Sequence, residues 1–189
     1  GAKAIGKALV GNASMEKLDL SANAFGDEGA KAIGKALEGN EALKELDVSA
    51  NAFGETGANA LLPHAKIIGA SLGWKGVNSE KWDISGKKLT DGDMLLIEPL
   101  LRTMPNLKYL DLSCNNIGDE GLAVLSNVVP AIPLLYELSL HGNNIGNVGC
   151  QCLLELIEND SLQSLAYLYL GGNRNISSEE LKTKVKRVW

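Results

Sequence analysis

The chain has 189 residues, 45% of them apolar and 22% charged, and a formal net charge of −5. That make-up is ordinary for a globular protein with room for a sizeable core, and the acidic balance disfavours a nucleic-acid backbone as partner. The longest apolar stretches fall well short of the roughly 18 residues that a membrane-spanning helix requires.

Residues 1–12 read GAKAIGKALVGN, and nearly the same words return at 29–40. Aligned as blocks, residues 1–28 and 29–56 agree at 19 of 28 positions, so a period of 28 is set within the first third of the chain. The first unit opens in mid-repeat, since Gly1 aligns with Gly29, and the expectation is that the chain is a piece of a larger protein. Each unit carries L-x-L-x-x-N, a short turn and a helical stretch. The strand-like centres are Leu18, Leu46, Trp82, Leu110, Leu138 and Leu168, spaced 28, 36, 28, 28 and 30 residues. The alternation in Leu46-Asp47-Val48 argues a short strand. The asparagines Asn23, Asn51, Asn115, Asn143 and Asn173 are expected to be buried and to bond the backbone of the bend that follows. Lys87 takes that place in the third unit, which should therefore be locally irregular.

The helical part is clearest in DEGAKAIGKALEG, residues 27–39, where Ala30, Ile33 and Leu37 share a face. Asp27 and Glu28 suit the positive end of its dipole, and Gly39 suits its close. Neither the strand nor the helix buries much alone. Stacked in parallel, the strands form one sheet and the helices a second layer. The interval of 36 marks an insertion of eight residues. Pro63 should break or kink the helix there, and the segment near 63–79 is expected to leave the repeat as a loop or bulged helix end. Pro99 falls within the next helix. The tail, 177–189, reads as a capping helix with Ser177 or Ser178 as N-cap.

The string NAFGDEGAKAIGKALEGNEALKELDVS, residues 23–49, together with the L-x-L-x-x-N signature, resembles the leucine-rich repeat, and in particular the ribonuclease-inhibitor-like subfamily with NOD-like-receptor and Ran GTPase-activating-protein style repeats. The resemblance implies an α/β solenoid, or horseshoe, with parallel strands on the concave face and helices on the convex face. It implies a single array over residues 1–189 of about six repeats, the N-terminal one truncated. It also implies a non-catalytic module or assembly scaffold, cytoplasmic, that binds a protein partner on its concave face. The alternatives carried by the same resemblance are a regulator of a small GTPase and the sensor region of a NOD-like receptor.

Catalytic constellations are lacking. The two histidines, His64 and His141, belong to no Ser-His-Asp set and to no zinc spacing, and no phosphate-cradling glycine loop is present. No catalytic, metal or cofactor residue is assigned, and no cofactor is expected. The aspartates Asp19, Asp47, Asp83 and Asp111 would form a row across parallel strands about 4.8 Å apart, yet LDLS is common scaffold sequence in such repeats. The cysteines Cys114, Cys150 and Cys152 suggest free thiols in a reducing compartment. Cys150 and Cys152 align with Ala30 and Ala32 and read as small packing residues.

The tyrosines are the feature that the repeat does not explain. All four, Tyr109, Tyr136, Tyr167 and Tyr169, fall in the last three strand units, at places that point out of the sheet. Tyr109, Glu137 and Tyr167 should share one cross-strand row; Asp111, Ser139 and Tyr169 should share the next, with Tyr136 and His141, placed on a strand, flanking them. The matching places of the first two repeats hold only Glu, Lys, Asp and Ser. Tyr109, Tyr136, His141, Tyr167 and Tyr169 are thus the expected partner-binding residues, because tyrosine brings large area and a hydroxyl at low entropic cost.

Overall fold

A computed structural model describes residues 1–76, 78–173 and 176. Helices and short strands alternate: α1 (Ala2–Leu9), β1 (Lys17–Asp19), α2 (Asp27–Ala36), β2 (Glu45–Asp47), α3 (Glu55–Leu61), α4 (Ala65–Ser71), β3 (Lys81–Asp83), α5 (Asp91–Leu101), β4 (Tyr109–Asp111), α6 (Asp119–Val128), β5 (Glu137–Ser139), α7 (Asn147–Glu158) and β6 (Tyr167–Tyr169). Single 3-10 turns lie at Leu62–His64 and Val129–Ala131. The strand centres are the six read from the sequence, and all pairing is parallel and in repeat register: Leu18 beside Leu46, Trp82 beside Leu110, Leu110 beside Leu138, Leu138 beside Leu168. The central residue of each strand from β2 to β6 is buried while its neighbours face outward. Each such buried Leu stabilises the fold by about 1.5–3 kcal/mol before entropic costs.

The loops after the strands are tied by asparagine. The carboxamide of Asn115 donates to the carbonyls of Ile84 and Leu112 at 3.0 and 2.9 Å and accepts the Leu89 N–H at 3.0 Å. Asn51, Asn143 and Asn173 repeat this scheme, each reaching into the preceding repeat. All four are buried. Asn23 departs from the expectation. It bonds its own loop, donating to the Leu20 and Ser21 carbonyls at 3.0 Å, but it is exposed, because among the described residues no preceding strand loop packs on it.

A second device joins the helices. Asp27, Asp91 and Asp119, each the first residue of its helix, accept the N–H of Gly54, Gly118 and Gly146 at 2.8, 2.7 and 2.7 Å. Each carboxylate therefore satisfies the start of the next helix, where backbone donors lack partners. Close approach of the helices depends on glycine: a Cβ on Gly34 would lie 2.2 Å from the Ala60 carbonyl oxygen.

The strand ladder is not continuous. β1 and β2 form one sheet and β3–β6 a second, whereas one six-stranded sheet was expected. The insertion supplies the reason. The segment expected as a loop or bulged helix end is helical as far as Ser71: Pro63 is accommodated in the 3-10 turn, where its missing N–H costs little, and α4 continues beyond it. α4 packs against β2 and α5. Ser71 Oγ donates to the Leu46 carbonyl at 2.9 Å, and Trp82 Nε1 donates to the Leu72 carbonyl at 3.0 Å. Side chains thus bond backbone groups at the edge where a β2–β3 ladder would run. The apolar side chains form two clusters, which share elements at this seam: α4 gives Ile68 to one and Leu72, just past its end, joins the other, and α5 gives Leu96 to the first and Met94 and Ile97 to the second. The expected capping helix at 177–189 lies outside the described residues.

Candidate functional site

Register and ring contacts bring the four tyrosines together. Tyr109 pairs with Glu137 and Glu137 with Tyr167; Asp111 pairs with Ser139 and Ser139 with Tyr169. Leu110, Leu138 and Leu168 turn into the core, so the residues on either side turn to the open face. Tyr136, just ahead of β5, meets the Tyr109 ring edge-on at 6.2 Å between centroids and the Tyr167 ring at 5.4 Å. Tyr167 and Tyr169 stack at 6.5 Å with ring planes 7° apart. The result is an unbroken aromatic strip across β4, β5 and β6, in geometries that aromatic pairs prefer. Tyr109 and Tyr136 remain 39% and 40% exposed, which is far from the core burial of the strand leucines beneath them.

His141 stands apart from the strip. β5 ends at Ser139, so His141 lies in the following turn and not on the strand where it was expected. Its ring is exposed and rests on the backbone of Gly171 and Gly172: a Cβ on Gly171 would sit 3.1 Å from His141 Nδ1. Its carbonyl accepts the Cys114 N–H at 2.8 Å. His141 therefore borders the face at the loop end of the strands.

Glu137 lies within the tyrosine face by position, although it is not among the partner-binding residues expected from the sequence. It sits between two tyrosines in its row, and among the described residues it has no ion pair. The corresponding residue in the first sheet, Glu45, pairs with Lys17 of the neighbouring strand at 2.8 Å. Comparing the two rows in the sequence is the signal that singles Glu137 out. Lys108, which precedes Tyr109, is held by Glu80 at 2.8 Å, and that bond raises its pKa.

The aspartate row is a structural feature. Asp19, Asp47, Asp83 and Asp111 each accept the N–H of the serine two residues on, at 2.8, 2.9, 3.1 and 2.9 Å. Bonds from Ser21 and Ser85 hold the Asp19 and Asp83 carboxyls below the usual aspartate value. Elsewhere, a groove of about 1090 Å³ runs between α1 and α2; its charged lining is lysine and glutamate, with no histidine or cysteine. Cys150 is buried in α7, and burial pushes its thiol up to about 11, well away from a reactive thiolate.

Residues 11–34, 39–62, 103–126 and 133–154 match the family model described as "Leucine Rich repeat". The chain carries leucine-rich repeats, and its alternating helices and parallel strands are an α/β leucine-rich-repeat solenoid. No curated protein matches. Among solved structures, the tropomodulin C-terminal domain from Caenorhabditis elegans is similar at 12% identity over 98% of this chain and 89% of that one, with a TM-score of 0.44. Leiomodin-1 actin-binding site 2 is similar at 14% identity over 98% and 83%, with a TM-score of 0.41. An internalin from Listeria monocytogenes is similar at 15% identity over 100% of this chain and 49% of that one, with a TM-score of 0.37.

Proposed function

We propose that this leucine-rich-repeat solenoid is a non-catalytic scaffold that grips a protein partner on the open face of β4–β6, with residues 1–189 acting as one array of the ribonuclease-inhibitor-like style. The observation that carries the reading is the continuous strip of Tyr109, Tyr136, Tyr167 and Tyr169 on a face whose counterpart in the first sheet is charged. A rigid sheet holds the rings in place before a partner arrives, so little entropy is lost on binding. Tyrosine at the centre of a contact, with polar residues at its margin, is the usual composition of an interface hot spot. His141 contributes at that margin. Free cysteines, with Cys114 exposed, support a reducing cytoplasmic setting. Among the described residues no helix is long and apolar enough to cross a membrane.

Site-specific photo-crosslinking tests the reading. A benzophenone side chain placed at Tyr136 should capture a partner protein, whereas the same group at Val148, exposed on α7, should not. Capture only from Val148 would place the partner on the helical side and overturn the proposal.

A further inference from the structure

The carboxylate of Glu137 indicates what the partner must bring. In the first sheet, Glu45 is answered by Lys17 on the adjoining strand. In the second, the adjoining places on both sides of Glu137 are tyrosines, Tyr109 and Tyr167, and no cation among the described residues pairs with it. Lys108 is already engaged by Glu80. Tyr136 makes edge contacts with both flanking rings, so three phenol rings bracket the strand position that carries this carboxylate. In the next row Asp111 adds a second negative charge beside Ser139 and Tyr169. Aromatic faces attract cations through the negative potential above the ring. A carboxylate beside them adds a charge-assisted hydrogen bond.

We propose that the tyrosine face recognises an arginine side chain of the protein partner, its guanidinium lying against the tyrosine rings and bonding Glu137. This rests on the scaffold reading above. Arginine fits better than lysine because its guanidinium is planar, weakly hydrated and able both to stack on a phenol and to present two N–H groups to one carboxylate. A neutral or acidic contact would leave Glu137 desolvated without a partner, which costs affinity.

The test uses three blocked tripeptides, acetyl-Gly-Arg-Gly-amide and its lysine and citrulline counterparts, titrated against the isotope-labelled full chain by amide chemical-shift mapping. Citrulline keeps the planar shape of arginine and lacks its charge. The arginine peptide should bind with Kd on the order of millimolar and shift the amides of Tyr109, Glu137 and Tyr167. The citrulline peptide should bind roughly tenfold more weakly or not at all, with lysine between them. Glu137→Gln, with circular dichroism as folding control, should narrow the difference between arginine and citrulline, since the attraction of the rings for the cation remains. Equal binding of arginine and citrulline, a lysine preference, shifts confined to another surface, or no binding by the arginine peptide overturns the proposal. Failure of the scaffold reading looks different. If Glu137→Gln leaves the affinity of the photo-captured partner unchanged while Tyr167→Ala weakens it, the tyrosine face stands and the arginine is wrong; if neither change matters, the face itself is wrong.

Discussion

The Asp93 carboxylate accepts the Ala50 N–H at 3.3 Å, across the gap where β2 and β3 share no ladder. In the regular repeats this N–H goes to a backbone carbonyl of the next loop, as Ala22 N–H goes to Ser49 and Cys114 N–H to His141. At the seam a side chain replaces that carbonyl. The same oxygen of Asp93 also accepts the Thr90 N–H and hydroxyl at 2.8 Å, completing a capping box at the start of α5.

This geometry gives the seam a pH dependence of unusual sign. Burial, with a smaller contribution from the Asp47 charge, pushes the Asp93 carboxyl from 3.8 up to about 6 against its hydrogen bonds. The folded state therefore holds the proton more tightly than the unfolded chain. The stability contributed is full below pH 3.8 and is lost as pH rises through about 6. Asp19 and Asp83, whose values are lowered, act in the opposite sense, contributing above 3.8 and losing it as pH falls. Denaturant unfolding of the parent and of Asp93→Asn separates the two effects. On going from about pH 7 to about pH 5 the parent should gain on the order of 1 kcal/mol relative to the variant. Parallel profiles would contradict the assignment.

The asparagine ladder predicts a cost that depends on place. Asn115→Leu strands the Leu89 N–H and the Ile84 and Leu112 carbonyls in a buried loop. It should cost on the order of 1–3 kcal/mol. Asn23→Leu, at an exposed loop where the side chain donates only within its own turn, should cost less. Equal losses in thermal unfolding would show that the inter-repeat bonds do not matter.

Helix spacing supplies a third test. A methyl at Gly34 would meet the Ala60 carbonyl at 2.2 Å, so α2 and α3 would have to separate. Gly34→Ala should destabilise the chain by about 1–3 kcal/mol, although alanine is the better helix former. A neutral or stabilising result would mean that the two helices give way freely.

Much of this architecture was legible because a 28-residue period repeats its own chemistry. Each strand centre could be read from L-x-L, and the tyrosine rows followed from register alone. The seam was harder. Pro63 reads as a helix breaker, but a proline in the first turn of a new helical segment gives up an N–H that has no partner anyway. The role of Asp93 is foreshadowed only by Thr90-x-x-Asp93, a capping-box pattern that says nothing about Ala50. The Asp27, Asp91 and Asp119 bridges resemble ordinary first-turn acids, since their partners lie a whole repeat away. Asn23 looked like its copies because exposure depends on what packs beside a loop, not on the loop's own residues.

The affinity of the photo-captured partner for Tyr167→Ala and Tyr169→Ala, compared with charge reversals at Asp19 and Asp47 on the first sheet, decides whether the tyrosine face is the binding face. Circular dichroism should show all four variants folded. The tyrosine changes should weaken binding by about 2 kcal/mol each, and the aspartate reversals should leave it near the parent value. Parent-like binding by both tyrosine variants, with loss on reversing Asp19 and Asp47, would put the partner at the opposite end of the solenoid and contradict the account.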